Sequence, residues 1–447
     1  MLTFWASLWL RLMGERMTDT MITQMPKYES MQDSGFEWIG DIPSSWNLLS
    51  VKQIYRLVME ESGKNHNLEL LSVYSDIGVR PRAELEEKGN KASSTDGYWL
   101  VRKGDFVVNK LLAWMGGLGL SEYDGVTSPA YDVLRPRKEI CGSYFNYLFR
   151  SPACTSELKK HSRGIMDMRL RLYFDKFGVV KVPFPSLKEQ KAISNFLDKR
   201  TSQIDEAIAI KQKQIELLKE RKQIIIQKAV TQGLDSNVPL KESGIIGLGL
   251  VAEHWDIVFN RRVFRENSRK VKGDELPLSL SQVDGVIPSN DMKERSLSPS
   301  HRNNFKLCFP GDLVVNRFKG HLGVFFNSEY EGIVTFHYGV FEPQKGVHTK
   351  FYEHLYHTEP FKAIYAGASN GMTVGLQNLS NQNFYMIKTI RPPEKEQIEI
   401  CKYIEKISDE INVAIGGNEL QIERLKEYKA TLINSAVTGK IKVTELS

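Results

Sequence analysis

Histidine, cysteine and carboxylate are the side chains most able to ligate a metal or move a proton, and here they do not gather into a reacting set. The closest grouping of histidines is His348, His354 and His357 in HTKFYEHLYH. It reads as partly buried or surface imidazoles rather than a metal centre. Cys141, Cys154, Cys308 and Cys401 are far apart and form no C-x-x-C pair. That spacing argues against a structural zinc site and for a reducing, cytoplasmic setting. No G-x-x-x-x-G-K-[ST] loop, G-x-G-x-x-G turn or H-E-x-x-H helix occurs, so the phosphate cradles and zinc pairs those motifs build are not encoded. No [DN]-P-P-[FYW] motif occurs either, and Arg391-Pro392-Pro393 reads as a helix entry. Carboxylates are scattered without a nuclease-like constellation. The inventory points to binding rather than catalysis, with no metal and no cofactor held by this chain.

Charge is more informative. The formal net charge is +6, but 181–228 alone carries 11 Lys and Arg against 6 Asp and Glu, whereas 388–442 carries 10 against 9. A concentrated positive face of that kind suits phosphate, although a solvated helix face would look similar.

The element that holds this charge is a long helix, predicted over 186–231. Taking Ile204, Lys211, Leu218 and Ile225 as d positions places Ile208, Ile215, Lys222 and Ala229 at a, and six of the eight are apolar. A shift of 207 residues reproduces the pattern in 394–438, with Ile411, Asn418, Leu425 and Leu432 at d and Ile415, Ile422, Lys429 and Ala436 at a. One a position is Lys in both copies. Heptads of this length let two helices, each about 65 Å long at 1.5 Å per residue, pack along a common seam, with polar a and d residues setting register. The expected seam is Ile204, Ile208, Ile215, Leu218 and Ile225 against Ile411, Ile415, Ile422, Leu425 and Leu432. Ser186 and Glu189 fit a capping box at the first helix start; Pro393 opens the second. Gly416-Gly417 inside the second helix costs about 1 kcal/mol per residue relative to Ala and predicts a kink or softened turn.

Each helix follows a segment that mixes short strand-like runs with a few helices. In the first these are LELLSVYS, GYWLVRKGDFVVNKLL, YDVLRP and VVKVPFP, bounded by Gly, Pro, Asn and Asp. YFNYLFRSPACTSELKKH reads as one or two helices. The second segment repeats the plan: Trp255 answers Trp46, Gly311-Asp312 answers Gly104-Asp105, and FYEHLYHTEPFKAIY answers YFNYLFRSPACTSEL. Between these anchors the two share little sequence. The fold class is therefore α+β: two mixed α/β domains separated by two long antiparallel coiled-coil helices, a pseudo-twofold tandem duplication. Expected boundaries are a leader over 1–35, a first domain over 36–186, a central helix over 187–233, a second domain over 234–393, a distal helix over 394–441 and a tail over 442–447. The leader's MLTFWASLWLRLM is too short to span a bilayer, and Met17, Met21 and Met25 suggest a start assigned too early.

The layout resembles the specificity (S) subunit of type I restriction–modification systems. The residues that carry the resemblance are the opening FEWIGDIPSSW, the Gly-Asp strand over 103–109, the entry VPFPSLKEQKAISNFLD and the helix end ERKQIIIQKAVTQGL. Their distal copies are RPPEKEQIEICKYIE and LKEYKATLINSAVTGKI. The resemblance implies two target recognition domains, each reading one part of a split double-stranded DNA target, on helices that dock two methyltransferase (M) subunits. Restriction (R) subunits join for cleavage. It implies a non-catalytic chain, with S-adenosylmethionine, ATP and Mg bound by the partners. Because the two domains differ between their anchors, the target is expected to be asymmetric. Loops that follow the Gly-Asp strands are the candidate readers: Lys110 and Trp114 in the first domain, Arg317, Lys319 and His321 in the second. A further loop offers Arg163, Arg169 and Arg171, and its counterpart Asn370 and Gln377. Arg suits guanine, and Asn or Gln suits adenine. A stand-alone DNA-binding regulator, a metal-dependent nuclease and a coiled-coil scaffold without DNA are the rival readings.

Overall fold

In the computed structural model, residues 22, 24–64, 66–84, 95–164, 170–266, 269, 271, 274–292, 305–370 and 378–443 are described. The chain forms two compact units. One combines the residues up to Gln212 with those from Glu419, and the other is Lys213–Asn418. Each unit takes one globular body and one half of each long helix.

Unit one is built on an antiparallel sheet of β1 (Tyr55–Val58), β2 (Phe106–Asn109), β3 (Leu118–Leu120) and β4 (Tyr131–Pro136), in the order β1-β4-β2-β3. Strand β2, FVVN, is buried at every position, as an apolar run enclosed on both faces must be. Helices α1 (Gly142–Arg150) and α2 (Pro152–His161) cover the sheet. Tyr55, Phe106, Phe145 and Phe149 meet there in edge-on and tilted aromatic contacts. A second ribbon pairs Asn47–Ser50 with Lys181–Phe184 and leads into helix α3, Leu187–Gln232.

Unit two repeats this with β5 (Phe264–Glu266), β6 (Leu313–Asn316), β7 (Phe325–Asn327), β8 (Tyr338–Pro343), α4 (Thr349–Tyr356), α5 (Glu359–Ala368) and α6 (Glu394–Val437). Its sheet order is β5-β8-β6-β7. Strands β2, β3 and β4 recur 207 residues later as β6, β7 and β8 without a gap, although the intervening loops share little sequence.

The Gly-Asp motif explains why these strands start where they do. Gly104 and Gly311 sit at φ of +94° and +93°, a conformation that disfavours any side chain. The aspartate that follows is buried and holds the strand end. Asp105 accepts the Arg102 backbone N–H at 2.9 Å and a two-pronged contact from Arg135 at 2.9 and 2.8 Å. Asp312 accepts the Phe309 N–H at 2.8 Å and Arg269 at 2.7 Å.

Helix α3 begins with the expected capping box: Glu189 N–H donates to Ser186 Oγ at 3.3 Å, and Ser186 N–H donates to Glu189 at 3.2 Å. The repeated Lys-Glu-Gln motif also joins each globular body to its helix. The indole N–H of buried Trp46 donates to Glu189 at 3.1 Å, and that of Trp255 to Glu396 at 2.9 Å. Gln190 accepts the Cys141 N–H at 2.9 Å and donates to the Pro185 carbonyl at 2.9 Å. Gln397 does the same with His348 and Pro392, both at 2.8 Å. Sequence comparison exposes these residues only as alignment anchors; their work is to satisfy buried backbone groups at a joint.

All ten expected seam residues are buried or half-buried. Within unit one, Ile204 and Leu432 lie in the core, with Ile208 and Leu425 packed against it. The Lys of the a position pairs outward in each unit: Lys429 reaches Asp205 at 2.7 Å in unit one, and Lys222 donates to Asn412 at 3.2 Å in unit two. The partner's number falls by 17 (429 to 412) as the α3 number rises by 17 (205 to 222), which marks an antiparallel pair. The polar a residue therefore makes one register-defining contact twice.

Two expectations need correction. Helix α6 runs unbroken through Gly416-Gly417, because the antiparallel packing along its length outweighs the propensity cost of two exposed glycines. A Cβ added at either meets nothing within 4 Å. Replacing both by Ala is accordingly expected to stabilise the protein by about 1–2 kcal/mol, measured as a rise in the urea midpoint; a fall would show that these glycines are needed for packing. The leader boundary at 35 is also too late. Tyr28 packs edge-on against Trp46, and Met31–Asp33 pairs with Asp41–Pro43. The tail joins the same body: Lys442 N–H donates to the Pro26 carbonyl at 2.7 Å, and Val443 is buried. The apolar opening, with Met17 and Met21, lies outside the described residues.

Candidate nucleic-acid interface

In both units the two candidate loops are tied together by one node. Leu172 N–H donates to the Lys110 carbonyl at 2.8 Å, and Leu379 N–H to the Arg317 carbonyl at 2.9 Å. Leu172 and Leu379 are buried, so this node is anchored in the core. One residue earlier, the second loop is pinched by a short antiparallel bridge. Arg163 and Arg171 exchange both backbone hydrogen bonds at 2.9 Å; Asn370 and Asn378 exchange theirs at 3.0 and 2.8 Å. The equivalence holds at 207 residues for all four positions. The fold thus brings the loop after β2 and the neck of the later loop onto one surface, and does so again after β6.

Side chains on that surface differ in availability. Lys110 is turned inward: its ammonium lies 3.2 Å from Asp132 and donates to the Pro129 carbonyl at 2.8 Å. Burial raises the Asp132 carboxyl above the ordinary range, and Lys110 opposes that shift. Arg317 likewise contacts Glu266 at 3.4 Å, with its Nε buried. Both candidate readers thus follow a buried strand and pair with a carboxylate of their own domain. Trp114 lies in the turn Ala113–Met115, where Lys159 of α2 sits 4.8 Å above its ring, and its indole nitrogen is buried. His321 has a buried Nδ1. In contrast, Lys319, Arg163, Arg171 and Asn370 are exposed. Asn370 Oδ1 accepts from Asn383 Nδ2 at 3.3 Å. Arg169 and Gln377 lie outside the described residues. Sequence reading missed Asn378, although its 207-residue correspondence with Arg171 was available.

The histidine set is divided. His354 on α4 and His357, which follows it, are half-buried, at one wall of a cavity of about 440 Å³ also lined by Glu220, Gln227 and Lys362. Burial, then Lys350, pushes the His354 imidazole down to about 3; burial, then Lys362, pushes His357 down to about 4. Both are neutral at pH 7. Among the described residues, no three His, Cys, Asp or Glu converge as they would around a metal ion. Among the same residues, no helix is long and apolar enough to cross a membrane.

Comparison with known proteins places this geometry. The sequence model of the type I restriction modification DNA specificity domain matches residues 82–220. The chain is 25% identical over 294 residues to a Methanocaldococcus jannaschii protein named for the type I restriction enzyme MjaX specificity subunit, covering 59% of this chain and 60% of that protein. It is 24% identical over 333 residues to the type I restriction enzyme EcoKI specificity subunit of Escherichia coli, covering 69% and 68%. Similar folds occur in a chain from a solved type I R-M system (TM-score 0.63, 14% identity, 89% of this chain and 98% of that one) and in the HsdS subunit from Thermoanaerobacter tengcongensis (TM-score 0.51, 13% identity, 92% and 100%). The matched domain and these relatives make this chain similar to type I restriction–modification specificity subunits, and it shares their fold.

Proposed function

We propose that this chain reads an asymmetric, bipartite DNA target for a type I restriction–modification assembly in the cytoplasm. The observation that carries the reading is the loop node repeated at 207 residues with different side chains on it. The same backbone frame presents arginines in unit one and asparagines in unit two. One frame carrying unlike side chains suits two unlike half-targets, whether a given side chain holds phosphate or reads a base edge. Base edges supply specificity, and phosphate contacts supply register. The antiparallel helices supply a stiff spacer, so the unspecified gap between half-targets has one length. Two methyltransferase (M) subunits and restriction (R) subunits are the proposed protein partners. S-adenosylmethionine, ATP and Mg belong to those partners, and this chain performs no catalytic step.

A genome-wide adenine-methylation map with and without the gene tests this. The expected result is loss of one split, asymmetric motif on deletion. Loss of a continuous palindrome, or an unchanged map in a strain whose methyltransferase subunit is demonstrably active, would overturn it.

A further inference from the structure

We infer that Arg163 and Arg171 form a two-pronged phosphate clamp in unit one, a device that unit two lacks. The inference rests on the DNA-reading role proposed above and adds how the two half-targets are held.

The argument begins with the bridge. Residues that exchange both backbone hydrogen bonds across an antiparallel pair stand directly opposite and project to the same face. Arg163 and Arg171 do so, and both are exposed. Like charges placed directly opposite destabilise such a pair. Among the described residues neither arginine meets a carboxylate, whereas other cations of the same surface are engaged: Lys110 with Asp132, Lys159 with the Trp114 ring. Among the described residues the repulsion is therefore uncompensated. An anion shared between the two guanidinium groups relieves it. A base edge, which carries no net charge, does not. The neck is also well placed to bear load, because the next residue, Leu172, is buried and hydrogen-bonded to the end of the Gly-Asp strand segment. At the equivalent positions unit two has Asn370 and Asn378, which are neutral, with Asn370 already accepting from Asn383. Lys319 is exposed in unit two but has no facing cation at the neck. The neck of unit one thus offers charge to its half-target, and the neck of unit two offers neutral groups.

The test uses the chain assembled with its methyltransferase subunits. Binding to a fluorescent duplex carrying the mapped target, and to a scrambled duplex, is measured across potassium chloride concentrations. Arg163→Gln with Arg171→Gln is expected to weaken both duplexes by the same factor. It should also reduce the slope of log affinity against log salt by about 1, at roughly 0.9 for the one phosphate the two guanidinium groups share. Arg163→Lys with Arg171→Lys should retain the slope, since a phosphate asks only for charge. The free glutamine variant should melt at a higher temperature than wild type because the facing charges are gone. An unchanged slope, or a loss confined to the target duplex, would overturn the clamp. Wild type that bound both duplexes equally would defeat the specificity reading while the slope still decided the clamp; wild type that bound neither would defeat both.

Discussion

Unit two is expected to lose stability steeply as pH falls from 6.5 to 4, by on the order of 5 kcal/mol from two histidines alone. His354 on α4 and His357, which follows it, are half-buried, with values pushed down to about 3 and about 4 against an ordinary value of 6.5. Their depression means the unfolded chain binds protons that the folded chain refuses. Stability from this source is complete above pH 6.5 and is lost as pH drops toward the folded values. Burial raises the carboxyls of Glu353 and Asp312 in the same unit, which acts in the opposite direction near pH 4–5. Subtraction isolates the histidines: urea unfolding of wild type and of His354→Gln with His357→Gln, at pH 7 and pH 4.5, gives the difference directly. The double variant should show a much flatter pH response. Equal responses would mean that these imidazoles are protonated in the folded protein.

The second large effect belongs to the Gly-Asp turn. Asp105→Ala is expected to destabilise unit one by about 3 kcal/mol, because it leaves the Arg135 guanidinium without its two-pronged partner in a mostly buried place. The side chains of Arg135 and Asp105 are 14% and 3% exposed. Arg135 retains Glu60 at 2.8 Å, which keeps the loss below that of a fully orphaned charge. The same change also frees the Arg102 N–H. Asp312→Ala removes a more exposed arginine contact, since the Arg269 side chain is 30% exposed, and a smaller loss is expected. Denaturant unfolding of the two variants compares them. A loss below about 1 kcal/mol for Asp105→Ala would show that the pair contributes little beyond its desolvation cost.

Several features were legible from residue order alone because they depend on local rules or on repetition. The heptads at Ile204–Ile225 and Ile411–Leu432 required two long helices whatever surrounded them. The capping pair Ser186 and Glu189 is satisfied within four residues. Gly104 and Gly311 required a turn, and the 207-residue repeat required two copies of one fold. Even the contrast between Arg163 and Arg171 in one loop and Asn370 in its counterpart was printed in the sequence.

Tertiary structure alone decided which of those side chains are available. Lys110 and Arg317 read as candidate DNA contacts, and the folded domain sets Asp132 and Glu266 beside them. Trp114 read as a candidate DNA contact, and the fold sets Lys159 over its ring. The glycine pair in α6 read as a kink, yet distributed packing along 44 residues outweighs a local propensity. Exposure, ion pairing and the meeting of Arg163 with Arg171 all depend on residues distant in sequence. Local preference sets what a segment can form; the free energy of burying charge and apolar surface against those distant partners sets what it presents.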